Sequence, residues 1–373
     1  MSITIHQSPT GYASAHSELW HVVESTNKAV AGFQYVFDIY KAGNLVTRVK
    51  NTPYGVDKLG VLDVHNIVRA SLSTPDFPQL NIDNFIGPTE LGSDVFFTQY
   101  DVRYGEVSGG VTTANIASGT YKAYNNYSRS KFDKAQSEIQ DNKFLTNRPD
   151  IKWYENEIVL LTANINSGTG SNEFDFVITR NGMSNYVDNV YSNTKRVFLF
   201  AFTPPESAKD VSLYSTASGF TSVLNFQKKC AKYGTHTLVF LNAFGGYDSF
   251  TFVHGRLTKD TERKSFEQLK WKLSTTQMIE KVGNVYNESR KVYAAEYSEK
   301  MQLTSDILST GEYEWLAELV SSPQVYYYST ENEEFYPVMI TDTNYEFKDD
   351  RINKADFLTV NIEFSDKTNT QFR

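Results

Sequence analysis

The sequence predicts a mainly β, multi-domain protein, with β-sandwich-like modules followed by a small C-terminal α+β domain. Three observations carry that prediction. Large apolar residues alternate with polar ones at a period of two through several short runs. Gly, Asn, Ser and Pro separate those runs, as turns between strands require. One stretch near the C-terminus joins a helix cap to helical spacing.

The size fits this picture. A chain of 373 residues exceeds one ordinary core, so several domains are expected. Apolar residues make up only 40%, but 24 Tyr and 25 Phe supply large rings that bury much area each. Three blocks result: residues 1–120 as an immunoglobulin- or fibronectin-type sandwich, 121–255 as a second β-rich domain, and 256–373 as a linker and α+β domain.

In the first block, Phe33, Tyr35, Phe37 and Ile39 form one face of a strand. Ala42-Gly43-Asn44 turns the chain into a return strand with Leu45, Thr47 and Val49 on one face. Asn51-Thr52-Pro53-Tyr54-Gly55 ends it. A short helix or turn is expected from Asp63, with Val64, Val68 and Leu72 at helical spacing. Residues 73–93 read as a long loop. Val95–Gly105 reads as a strand carrying Tyr100, Val102 and Tyr104 on one face. Residues 106–150, rich in small and polar residues, read as a boundary or excursion.

The second block opens near Phe144 and Pro149. Its candidate strands are Glu157–Ala163, Phe174–Thr179, Arg196–Phe202, Thr235–Leu241 and Ser249–His254. The last two flank Asn242-Ala243-Phe244-Gly245-Gly246-Tyr247-Asp248, a hairpin whose paired glycines permit positive φ. Asn242, Phe244, Gly245, Gly246, Tyr247 and Asp248 are therefore the candidate structural hairpin or interface.

Residues 256–300 are charged and fit a β-ribbon or strand-rich link. Ser309 and Glu312 then form a capping box, with Tyr313, Leu316, Ala317 and Val320 at helical spacing and Pro323 beyond. Strands are expected at Val325–Tyr328, Tyr336–Thr341, Asn344–Phe347 and Phe357–Phe364.

Composition excludes some functions. A net charge of −8 argues against coating nucleic acid. The densest basic stretch, Lys228, Lys229 and Lys232, reads as a solvated face. A single cysteine, Cys230, rules out an internal disulfide framework, and its plainest reading is a buried or half-buried small residue. No disulfides fits folding in a reducing cytoplasm. The N-terminal residues lack a secretory pattern, and no run has the length of a membrane span.

The search for chemistry assigns no catalytic, cofactor-binding or metal-binding residue, and the chain is expected not to be an enzyme. It contains no phosphate-cradling Gly-rich loop and no Gly-x-Ser-x-Gly elbow. His16 and His21 are spaced one residue wider than the zinc pair of HExxH and read as a polar surface pair. His236 and His254 flank the Gly-Gly hairpin and could meet across it. Glu331, Glu333 and Glu334 read as an exposed loop, and Asp349, Asp350 and Asp356 do not match an EF-hand loop. Trp153-Tyr154 and Tyr327-Tyr328 could stack on sugars, but aromatics on strands are more often core.

One resemblance suggests a function. The stretch Phe240-Leu241-Asn242-Ala243-Phe244-Gly245-Gly246-Tyr247-Asp248-Ser249-Phe250-Thr251-Phe252 resembles a motif of virion structural proteins from tailed and related phages infecting Bacteroidetes. The Phe33–Tyr40 strand and the lead-in Cys230-Ala231-Lys232-Tyr233 are similar too. So are Leu303–Asp306, Glu312–Leu316, Leu319–Pro323 and Tyr336–Asp342 in the last block. Together these matches are scattered along the chain from Phe33 to Asp342. The resemblance implies a non-enzymatic tail, vertex, adaptor or spike-base component. Its partners would be other virion proteins and further copies of itself, with no direct contact to nucleic acid. It would fold in the host cytoplasm and reside in the virion. A glycan- or receptor-binding module is the alternative, and a polysaccharide-degrading enzyme a weaker one.

Overall fold

The computed structural model describes residues 2–11, 13–72, 77–78, 80, 89–91, 96–127, 139–155, 157–165, 173–180, 183–191, 196–215, 219–281, 290–342, 357–366 and 368–369. The architecture is mainly β, as expected. The chain divides into two compact units where three blocks were expected. The first holds Met1–Lys229 and Phe240–Ser249, and the second Cys230–Val239 and Phe250–Arg373.

The first unit contains two hydrophobic cores, each closed by two sheets. In the N-terminal one, a three-stranded sheet runs in the order Ile3–Gln7, Trp20–Ser25, Gly60–Asp63. A five-stranded sheet runs Ala13–Ser14, Val111–Tyr124, Phe97–Ser108, Gln34–Lys41, Asn44–Asn51. Their inner faces share a core of Val23, Phe33, Tyr35, Phe37, Ile39, Tyr100, Val102 and Tyr104. The alternation read from the sequence is thus the buried face of the sandwich. Val68 of the expected short helix, which spans His65–Arg69, and Val64 at its N-cap enter the same core.

Residues 106–150 depart from the boundary expected there. Val111–Tyr124 is a long strand paired with Phe97–Ser108. Gly109 and Gly110 sit at φ +58° and +82°, which lets a tight turn join two strands. Small residues marked this stretch as a linker, yet its Thr residues suit a pleated, half-exposed strand. The expected loop over 73–93 and the expected strand Asn344–Phe347 lie largely or wholly outside the described residues.

The second core lies between a four-stranded and a five-stranded sheet. The first runs Lys143–Phe144, Val159–Ile165, Arg196–Phe202, Thr89–Leu91, and the second Ile151–Trp153, Gly219–Lys228, Ala208–Ser215, Glu173–Arg180, Met183–Tyr191. Phenylalanines dominate this core, with Phe176 and Phe200 stacked at 4.2 Å. Six of these strands were missed in the sequence: the long Met183–Tyr191, Ala208–Ser215 and Gly219–Lys228, and the short Thr89–Leu91, Lys143–Phe144 and Ile151–Trp153.

Most of the second unit is built on strands of one eight-stranded sheet. Its order is Tyr247–Phe252, His236–Leu241, Val325–Ser329, Glu334–Ile340, Thr359–Phe364, Arg290–Thr304, His254–Glu267, with Thr368–Asn369 also pairing Arg290–Thr304. The expected capping box opens the helix Thr310–Ser321, with the Ser309 side chain accepting from the Glu312 N–H. The buried face of that helix is one residue off the expected one. Trp315, Leu316 and Leu319 face inward, while Tyr313, Ala317 and Val320 are only partly covered. The Trp315 indole meets Phe250 at 6.0 Å, and that contact sets the rotation.

Candidate functional site

The residues singled out in the sequence lie in the interior. Asn242 is 4% exposed, Tyr247 and Asp248 are fully buried, and Phe244 is 9% exposed. The Asn242 side chain organises the turn. Its Oδ1 accepts from the Phe244 and Gly246 N–H groups, both at 3.0 Å. Its Nδ2 donates to the Leu145 carbonyl at 2.6 Å. Backbone bonds from Asn242 N to Gly246 O and from Gly245 N to Asn242 O close the loop.

The two glycines have different reasons. Gly245 takes φ +80°, and a Cβ there would lie 2.1 Å from the Asn125 carbonyl oxygen. Gly246 does not take the positive φ expected of it, but a Cβ would meet Thr162 Cβ at 2.7 Å. The neighbouring Tyr247 N–H donates to Thr162 Oγ1 at 2.8 Å, and Asp248 Oδ2 accepts from Thr146 Oγ1 at 2.7 Å. Ser249 Oγ accepts from the Leu160 N–H at 3.0 Å. These bonds tie the turn to strands far away in sequence. The motif is an internal staple, and side chains this buried present no docking face.

Other sequence candidates also move. His21 is fully buried, not part of a surface pair. Its Nδ1 lies 2.9 Å from the Tyr104 hydroxyl, which in turn lies 2.8 Å from that of Tyr121. Burial lowers the His21 pKa to about 4, outweighing the raising effect of Asp63. Burial also pushes the Tyr104 phenol well up, with Tyr121 adding to it. His16 is exposed and pairs with Asn125.

His236 and His254 make separate contacts. His236 Nδ1 lies 3.0 Å from the Tyr327 hydroxyl, whereas the His254 ring packs on Tyr233. Trp153, Tyr154 and Tyr328 are buried, so they are core and not sugar platforms. Cys230 is exposed, contrary to the burial expected of it. The segment Cys230–Gly234 between two strands forms no ladder and packs little of its surface. Glu331, Glu333 and Glu334 are exposed as expected, while Asp349, Asp350 and Asp356 lie outside the described residues. Among the described residues, no group of three or more His, Cys, Asp or Glu could hold a metal ion.

The ribbon anticipated over 256–300 faces solvent. His254–Glu267 pairs antiparallel with Arg290–Thr304 over its whole length. Fourteen residues in a strand reach about 45 Å at 3.2–3.4 Å each. Beyond it, Trp271–Leu273 pairs with Ile279–Lys281 to form a smaller hairpin. Nearly every residue of His254–Glu267 and all of both short strands are exposed.

The arm has chemically distinct faces, because cross-strand partners share a face and neighbours alternate. Arg256, Thr258, Asp260, Glu262 and Lys264 lie on one, with Lys300–Asp260 and Lys264–Glu296 ion pairs at 2.8 and 2.9 Å. Leu257 with Met301, and Thr261 with Tyr297, lie on the other, where Lys259 covers the Tyr297 ring. In the smaller hairpin, Leu273 with Ile279 and Trp271 with Lys281 share a face opposite Lys272 and Glu280. Leu269, Leu273, Met278 and Ile279 are 64–73% exposed. Charged residues dominate this stretch of the sequence and obscure the apolar residues between them. The alternation in Trp271-Lys272-Leu273 and Met278-Ile279-Glu280 was the available signal.

At the base of the arm, an open cleft of about 340 Å³ is lined by Arg256, Thr258, Lys300, Gln302, Thr341 and Asn361, among others. Gln302 Nε2 donates to Asn361 Oδ1 at 3.2 Å, which holds both amides at the cleft wall.

Fold and surface define a β-rich, multi-domain protein with a projecting ribbon. No protein-family model matches the chain, and no curated protein matches it. Among solved structures, an I-band fragment of titin, I67–I69, matches at 11% identity over 81% of this chain and 93% of that one, with a TM-score of 0.18. A score that low carries no argument about fold or function. Among the described residues, no helix is long and apolar enough to cross a membrane.

Proposed function

We propose that this chain is a non-enzymatic structural protein of a bacteriophage virion, acting in particle assembly as a tail, vertex, adaptor or spike-base component. The observation that carries the assembly role is the exposed ribbon arm. Large apolar side chains on a solvated hairpin mark a binding surface, because monomeric proteins keep such patches small. The resemblance of the Phe240–Phe252 stretch to phage virion proteins supplies the particle. The protein would fold in the host cytoplasm and meet other virion proteins there. Mass spectrometry of purified virions tests this. The chain is expected among the particle's proteins in a fixed ratio to the shell or tail proteins, and its absence sinks the proposal.

A second reading draws on the cleft beside the arm. Arg256, Gln302, Thr341 and Asn361 offer the hydrogen-bonding groups that a host-surface glycan or receptor would use. A glycan array with the purified protein tests it, and binding lost in an Arg256→Ala variant would favour it over the first reading.

A further inference from the structure

We propose that the ribbon arm docks on an acidic surface of a second copy of this chain, outside that copy's own arm, so that copies join head to tail. The inference rests on the assembly reading above and names the partner of the same surface.

Two observations single out another copy. The first is apolar area. Nine of the 22 large apolar side chains exposed among the described residues lie on the arm, Leu257, Trp271, Leu273 and Ile279 among them. The arm, residues 254–281 and 290–304, is only about a seventh of the described residues. At roughly half exposure, nine such side chains offer on the order of 900 Å² of apolar surface shared between the two faces of the arm, so one face supplies part of the ~800 Å² per partner of a stable interface and polar contacts the rest.

The second observation is charge. Those arm residues carry ten Lys and Arg against six Asp and Glu, a net +4. The chain as a whole has 36 against 44, which leaves 26 against 38 elsewhere, a net −12. Arm against arm sets like against like, whereas arm against the rest of a neighbouring copy sets opposite signs together. A nucleic-acid partner fits less well. Six carboxylates are interleaved with the basic groups, and Asp260, Glu296 and Glu299 already pair with Lys300, Lys264 and Lys259. A contact between two different patches is heterologous, and it closes into a ring or extends as a stack.

The test uses the full-length purified protein. Light scattering after size-exclusion chromatography is run over a concentration series, for the wild type and two arm variants. One variant is Trp271→Glu with Ile279→Lys, the other Lys270→Glu with Lys272→Glu and Lys281→Glu. All five side chains lie on the exposed arm, and circular dichroism verifies the fold. The wild type is expected to form an oligomer, and each variant to raise its apparent dissociation constant at least tenfold. Carbodiimide coupling of mixed light and heavy-isotope protein should link arm lysines of one copy to carboxylates outside the arm of another.

A monomer at every concentration overturns the proposal. So does an oligomer that ignores both variants, or mixed-isotope links confined to arm and arm. A monomer whose arm retards duplex DNA overturns it in favour of nucleic acid. Virion mass spectrometry separates the two proposals. A virion protein that stays monomeric defeats only this inference. Arm-dependent oligomers of a chain absent from virions defeat only the virion reading.

Discussion

The Asn242–Asp248 turn and the ribbon arm are both antiparallel hairpin structures, a few residues apart in the chain, and they meet opposite demands. The turn is enclosed on every side, so each polar atom in it needs a protein partner and each Cβ needs space. Glycine at 245 and 246 and the asparagine at 242 answer those two needs. His254–Glu267 and the smaller hairpin of the arm are mostly exposed, so these constraints are relaxed there. The arm's ladder is held by backbone bonds and by cross-strand ion pairs at its surface. Substitutions should therefore cost folding stability in the turn and cost association in the arm.

The sharpest way to break that contrast is Gly245→Ala. The new Cβ meets the Asn125 carbonyl at a φ that alanine rarely adopts. A loss of about 3 kcal/mol is expected in urea unfolding. A loss under about 1 kcal/mol would mean that the turn yields and is not a staple.

The buried polar cluster at His21 predicts a pH dependence. The unfolded imidazole titrates near 6.5, and the folded one at about 4. Between those values the unfolded chain binds a proton that the native one refuses. The contribution is therefore intact above pH 6.5 and is lost as pH falls toward 4, by up to about 3 kcal/mol. Urea titrations at pH 7 and pH 4.5 should show this fall diminished in His21→Gln. An equal fall in wild type and variant would remove His21 as its source.

A smaller effect is expected for Asn242→Ala. That change strands the Phe244 and Gly246 N–H groups and the Leu145 carbonyl, at about 2 kcal/mol. At the other extreme stands Leu273→Ser in the arm, expected to change unfolding free energy by no more than about 0.5 kcal/mol. A large loss there would show that the arm packs on something within its own chain.

Legibility in the sequence followed the range of the forces. The Phe33, Tyr35, Phe37 and Ile39 face was readable because alternation is a property of adjacent residues, and all four are core. The Ser309 and Glu312 capping box was readable for the same reason. The ribbon was readable as strands. The long strand Val111–Tyr124 was not, since its side chains are small and its stability comes from pairing with Phe97–Ser108.

By itself the sequence determined the β class, the sandwich-like modules, the one capped helix and the glycine turn, since each is written in local periodicity or in a short motif. Tertiary structure alone decided the surroundings of the turn, of His21, of Cys230 and of Trp315. Asn125, Leu145 and Thr162 close over the Gly245-Gly246 turn and turn a candidate interface into an interior staple. Tyr100, Tyr104 and Tyr121 close over His21, while Cys230 is left outside. Trp315 rather than Tyr313 faces the core because Phe250 stands opposite it. The burial of these residues depends on partners distant in the chain, so their local pattern did not state it.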